Sequence, residues 1–185
     1  MMVGLVLAVV FTIGWIPAFV YRTEELAAAL PEYDDTERRW SYATPVLLAT
    51  HCTLSCAMVS VADPISLWSA GIGLAVYGTA VVFWLSGRAL ISPLRVRRLP
   101  NVPPPQLRCD GAFGVVRHPL YFSYLLACVA PMIVARRGIL FVTLAPCVLA
   151  IVVRALLEER RLHAQLGAEY EDYCCRVKRL VPFVW

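Results

Sequence analysis

Two short stretches hold most of the residues whose types and spacing can do chemistry. The first runs Gly111-Ala112-Phe113-Gly114-Val115-Val116-Arg117-His118-Pro119-Leu120-Tyr121. Its glycines predict a turn. Pro119 predicts the first turn of a helix, because proline's fixed φ and missing N–H suit that position. A guanidinium and backbone amides at a helix start form an anion site, suited to a carboxylate or a phosphate. The plainer reading makes Arg117 a head-group anchor for the same helix. The second stretch holds Arg154, Glu158 and Glu159 where an apolar run ends. Arg154 and Glu158 stand at i and i+4 and share a face, so one reading is an ordinary ion pair worth a few tenths of a kcal/mol. Arg154 still lies inside the apolar run, however, where an unpaired charge costs at least about 2.5 kcal/mol, so it needs a partner or a wet cavity.

The elements that must position these residues are membrane helices. The chain has 185 residues, 59% of them hydrophobic, and a mean hydropathy of +0.66, against roughly 45–50% apolar residues in a soluble domain. Apolar runs occur at about 2–21, 43–62, 65–91, 120–135 and 138–157, and in lipid only helices satisfy their backbones. The fold class expected is all-α: one integral membrane bundle of about five transmembrane helices, with three N-terminal helices over 1–91 and a loop, hairpin and tail over 92–185. Asp63-Pro64 and Arg136-Arg137-Gly138 are short connections, so runs two and three, and runs four and five, should form antiparallel hairpins. Ser69, Gly71, Gly73, Ala75 and Gly78 permit close helix contact on the third run and permit, without requiring, a homo-oligomer. From Glu158 onward Leu162, Leu166, Tyr170, Tyr173 and Val177 recur at helical spacing, describing a C-terminal amphipathic helix interrupted near Gly167. His163 falls on its solvated side.

Charge sets the expected orientation. Between Ser92 and Arg117 five arginines (Arg95, Arg97, Arg98, Arg108 and Arg117) stand against Asp110 alone, which the positive-inside rule assigns to the cytoplasm, with the tail on the same side. Arg136-Arg137 on the opposite hairpin disagrees, and a shallow fourth helix would account for it. The net charge of +4 therefore reads as topology rather than nucleic-acid binding, since the arginines adjoin apolar runs instead of interleaving with surface aromatics. The seven cysteines show no disulfide framework. His51, Cys52 and Cys56 share a buried helix without a second ligand pair, so they read as packing rather than a metal site. Nothing assigns a role to Cys174-Cys175. The first run lacks a basic n-region and a cleavage site and reads as a retained helix.

The pattern Gly111…Arg117-His118-Pro119-x-Tyr121, followed by Arg154…Glu158-Glu159-x-x-Leu162…Leu166-Gly167-x-Glu169-Tyr170-x-x-Tyr173…Val177…Leu180-Val181-Pro182, resembles the isoprenylcysteine carboxyl methyltransferase family, including its prokaryotic relatives. It covers roughly the last 80 residues; the first three runs share only hydropathy. The resemblance implies a membrane-embedded methyltransferase using S-adenosylmethionine, held between the hairpin, the preceding loop and the tail. Gln106, Leu107, Arg108, Gly111, Phe113, Arg117, His118, Pro119, Leu120, Tyr121 and Glu158 would contact the cofactor, and Arg154, Glu158 and His118 would carry catalysis, with Arg154 facing the methyl acceptor. Phe113 stands where the family pattern has Tyr, so a hydroxyl contact is lost while ring stacking survives.

Methyl transfer from a sulfonium mainly needs alignment and exclusion of water. A carboxylate acceptor needs no base, whereas an amine or thiol must lose a proton, for which His118 is the candidate. The acceptor expected is lipophilic or small, at the cytoplasmic face of a membrane, expected to be a prokaryotic plasma membrane. Three other readings stay open: a phospholipid N-methyltransferase, a sterol-reductase-like enzyme using NADPH, and a non-enzymatic membrane accessory protein. The tail shows no basic cluster dedicated to a 2′-phosphate, and a transporter is disfavoured by the lack of an inverted repeat.

Overall fold

The computed structural model describes residues 2–13, 34–62, 64–95, 107 and 109–185. Gln106 and Arg108 lie outside them. The described elements are α1 (Met2–Ile13), α2 (Asp35–Ser60), α3 (Leu67–Arg95), α4 (Ala112–Val115), α5 (Pro119–Ala135), α6 (Leu140–Leu166) and α7 (Ala168–Arg176). The expected all-α bundle is observed. Of the five apolar runs, three carry described helices long and apolar enough to cross a membrane: α2, α3 over Leu67–Ala89, and α6. The described parts of the other two, α1 and α5, are apolar but shorter. Val6, Leu74, Val82, Leu85, Phe141, Val142 and Leu149 all point outward, the surface of a bundle whose solvent is hydrocarbon.

Packing departs from the expected pair of simple hairpins. α5 and α6 do lie together, joined by Arg136, whose left-handed conformation (φ 52°) caps α5. α3, however, packs along α5, and α2 along α6. α1 is wedged between α2 and α3: Tyr77 of α3 donates to the Phe11 carbonyl at 3.1 Å, and Gly4 lies so close to the Val59 carbonyl that a Cβ there would stand 2.5 Å from it. The small residues of α3 act selectively. A Cβ on Gly73 would meet Val134 Cγ2 at 2.5 Å, and Gly87 sits under Leu120, whereas Gly71 and Gly78 face open space.

α2 begins well before the apolar run that predicts it. Asp34 accepts from the Glu37 N–H at 2.7 Å and the Glu37 side chain accepts from the Asp34 N–H, a capping box that starts the helix among charged residues. Its buried face is unusually polar: Glu37, Ser41, Thr44, His51 and Ser55, with Leu48 among them, recur at three- and four-residue spacing. His51 Nδ1 contacts Thr143 Oγ1 at 2.8 Å, and Nε2 lies 3.2 Å from the Cys128 carbonyl, so this histidine ties α2 to α5 and α6 as packing, with its polar atoms satisfied.

Candidate functional site

Three chain segments converge where α6 leaves its apolar stretch. Gly111 adopts φ 57°, ψ −129°, a backbone that a Cβ would strain, and turns the chain into the single-turn α4. Val116 then extends, and Arg117 and His118 run beside the end of the chain: the Arg117 N–H donates to the Lys178 carbonyl at 2.8 Å and the His118 N–H to that of Arg179 at 3.1 Å, around a parallel bridge between Val116 and Lys178. Pro119 opens α5 as predicted. On the third segment, Gly167 takes φ 54°, ψ −128°, breaking the long apolar helix from α7 where the sequence predicts an interruption. Tyr170, Tyr173 and Val177 of the tail then pack with Leu107, Leu162 and Leu166.

Glu159 is the electrostatic centre of this junction. Arg117 Nε and Nη2 approach its Oε1 at 3.0 and 2.9 Å, Arg179 Nε and Nη2 both lie 2.8 Å from its Oε2, and His118 Nε2 lies 3.3 Å from Oε1. Arg117 also donates through Nη1 to the carbonyls of Cys174 and Val177, each at 3.0 Å. Such a buried carboxylate is tolerable because two guanidiniums neutralise and hydrogen-bond it. Arg117 therefore staples the tail across the start of α5, and the anion it holds is internal.

Glu158 behaves differently. Its side chain is 48% exposed, and Oε2 stands 3.7 Å from Nδ1 of the buried His118. One imidazole thus sits between two carboxylates, one spent and one open to solvent. Tyr121 lies beside it with ring centroids 5.5 Å apart. Tyr173 donates to the Phe113 carbonyl at 2.6 Å, fixing the loop to the tail. Burial raises the pKa of both Tyr173 and Tyr170, and that of Cys174, so Tyr173 remains a donor across the physiological range.

The structure thus gathers His118, Glu158, Arg117, Phe113 and Tyr121 around one junction. Leu107 contributes apolar packing against Tyr170 and Tyr173, and Leu120 is buried between α3 and the α2–α6 seam. Arg154 points elsewhere than the sequence pairing suggests. It is buried, and its Nη1 donates to Ser41 Oγ of α2; the ion-pair neighbour of Glu158 among the described residues is His118. Two turns further, Arg161 pairs with the buried Glu37 of α2. Four residues that the sequence reading leaves without a role are therefore structural participants: Glu159, Arg179, Ser41 and Glu37. A signal for Glu159 was present in the spacing, because Cys147, Ile151, Ala155 and Glu159 recur every four residues along the buried face of α6.

No family model matches the chain. Over 80 residues it is 34% identical to methanethiol S-methyltransferase 1 of Bradyrhizobium diazoefficiens. That stretch is 43% of this chain but only 27% of the relative's length. Over that span, a helical chain with three apolar helices of membrane-crossing length is similar to a methyltransferase.

Proposed function

We propose that this protein is a membrane methyltransferase that takes its methyl group from S-adenosylmethionine and delivers it to a lipophilic or small acceptor. The observation that carries this reading is the pair of adjacent carboxylates in opposite states, Glu159 neutralised by two arginines and Glu158 open beside His118 and Tyr121. An open carboxylate next to aromatic rings suits a ligand that is cationic at sulfur and carries amino and hydroxyl donors. The similarity to a methanethiol S-methyltransferase supports the same class and puts a thiol among the candidate acceptors.

Bound there, S-adenosylmethionine would supply an electrophilic methyl carbon. Glu158 would accept its amino or hydroxyl hydrogens, and the loop from Leu107 to Tyr121 would enclose it. The tail, held down by Arg117 and Tyr173, would cover one side of the bound ligand. Arg154, anchored on Ser41, would address the acceptor from the α2 side. The arginine-rich sequence before α5 supports an active site facing the cytoplasm.

The test is calorimetric titration of the detergent-solubilised protein. S-adenosylmethionine and its demethylated product should bind in the micromolar range, about −8 kcal/mol, and NADPH should not bind. Glu158→Ala should weaken that binding, while Arg154→Ala should preserve it and abolish turnover. Binding of NADPH alone, or equal loss of donor affinity in both variants, would refute the assignment of roles.

A further inference from the structure

Resting on the methyl-transfer reading, the geometry points to a protic acceptor, a thiol or amine rather than a carboxylate, deprotonated by His118 at Nδ1, with Glu159 as the positioning residue that makes Nδ1 the basic atom. A carboxylate flanked by two guanidiniums is ionised and can only accept hydrogen bonds, so the ring nitrogen facing Glu159 must carry the hydrogen. That nitrogen is Nε2, 3.3 Å from Oε1. In the neutral ring the lone pair then lies on Nδ1. Among the described residues Nδ1 makes no hydrogen bond: its neighbour, Glu158 Oε2, is 3.7 Å away, beyond hydrogen-bond length and within range to stabilise a positive charge.

Among the described residues no cation at this ring is left to hold an acceptor carboxylate: Arg117 and Arg179 direct their donors to Glu159 and to tail carbonyls, and both ring nitrogens face carboxylates. A neutral thiol or amine needs no such cation. A thiol gives its S–H proton to Nδ1 as its sulfur attacks; an amine attacks with the lone pair it already has, and the N–H proton of the resulting ammonium then passes to Nδ1. The attacking lone pair forms the new bond to the methyl carbon, and the carbon–sulfur pair stays with the donor sulfur, which leaves as a neutral thioether. The imidazolium is held by Glu159 on one side and Glu158 on the other. Half-exposed Glu158 is the exit by which the proton reaches water. The charged and titratable groups facing the ring are Glu158 and Glu159 from α6, Tyr121 from α5, the adjacent Arg117, and Arg179 through Glu159.

The experiment uses the full chain in detergent with S-adenosylmethionine and three acceptors: octanethiol, un-ionised near neutral pH; 4-nitrothiophenol, already a thiolate; and octanoate. Donor binding is measured first for each variant, so failure of the methyltransferase reading shows as absent binding in the wild type and defeats both proposals. With binding present, octanethiol should be methylated and octanoate not. The 4-nitrothiophenol thiolate should also be methylated, since it needs no base. His118→Asn should lower the octanethiol rate about 100-fold or more and the thiolate rate less than about tenfold. Glu159→Gln removes the charge that stabilises the imidazolium, so it should lower the octanethiol rate at least about tenfold more than the thiolate rate. Methylation of octanoate with octanethiol inert would overturn the inference. So would equal losses for both thiols in His118→Asn, or, should that variant fold poorly, equal losses for both thiols in Glu159→Gln.

Discussion

Arg117→Ala should release the tail, by an amount that follows from the geometry. The guanidinium makes a two-pronged contact with Glu159 at 3.0 and 2.9 Å, both side chains less than a tenth exposed, and two further bonds to the carbonyls of Cys174 and Val177. Removing one partner of a buried pair typically costs 3–5 kcal/mol. Here Glu159 keeps Arg179 and His118, which places the loss near the low end, about 3 kcal/mol. Since 1.4 kcal/mol is tenfold, the opening constant of the tail should rise about 100-fold. Amide hydrogen exchange in detergent measures this directly: protection across 168–180 should collapse toward that of an exposed segment, while α5 and the buried turns of α6 keep theirs. Arg176→Ala is the control, because that side chain is exposed and reaches only the Asp172 carbonyl; its effect should stay within about 0.5 kcal/mol. A change of less than threefold in Arg117→Ala, or equal changes in the two variants, would mean that the tail is held by its apolar contacts and that the ionic junction is incidental.

The α3–α5 contact gives a second test: Gly73→Ala should destabilise the bundle by about 1–3 kcal/mol, because its Cβ would enter Val134 and approach the Ala130 carbonyl. Gly78→Ala, with open space around it, should be neutral or stabilising by up to about 1 kcal/mol through helix propensity; thermal unfolding in detergent distinguishes the two. Tyr173→Phe should cost about 1 kcal/mol and loosen the Gly111–Val115 turn, seen as faster exchange of its amides. Because burial raises the folded pKa of Tyr173, the unfolded phenol ionises first. Stability from its bond to Phe113 should therefore hold up to about pH 10 and fall above it, a decline that Tyr173→Phe should lessen, with the buried Tyr170 contributing the remainder.

Much of the scaffold was readable because single residues dictate it locally. Pro119 starts α5, Gly167 ends α6, and the spacing of Leu162, Leu166, Tyr170, Tyr173 and Val177 describes a face that does pack together. Two kinds of feature escaped. Boundaries set by polar residues did, as at α2, where the Asp34–Glu37 capping box carries the helix eight residues upstream of the apolar run beginning near 43. Partnerships between distant segments did too. Glu158 and Glu159 are chemically identical neighbours, and only the 100° turn between them, set against the arginines of two other segments, makes one structural and the other available. The i and i+4 relation of Arg154 to Glu158 likewise says that they share a face, but Ser41, in a helix more than 100 residues earlier, takes the guanidinium.

The parallel bridge between Val116 and Lys178 also imposes an order of assembly. Its two sides are far apart in sequence, and the tail must be made before His118 acquires its backbone partner at Arg179. During synthesis, which proceeds from the N-terminus, Glu159 emerges when Arg117 is already present, so a first ion pair can form as α5 and α6 come together. Arg179 arrives twenty residues later and completes the cluster. A ribosome-bound intermediate would therefore hold both helices of the hairpin with an unfinished junction, and the imidazole would gain its backbone partner only when the tail folds back.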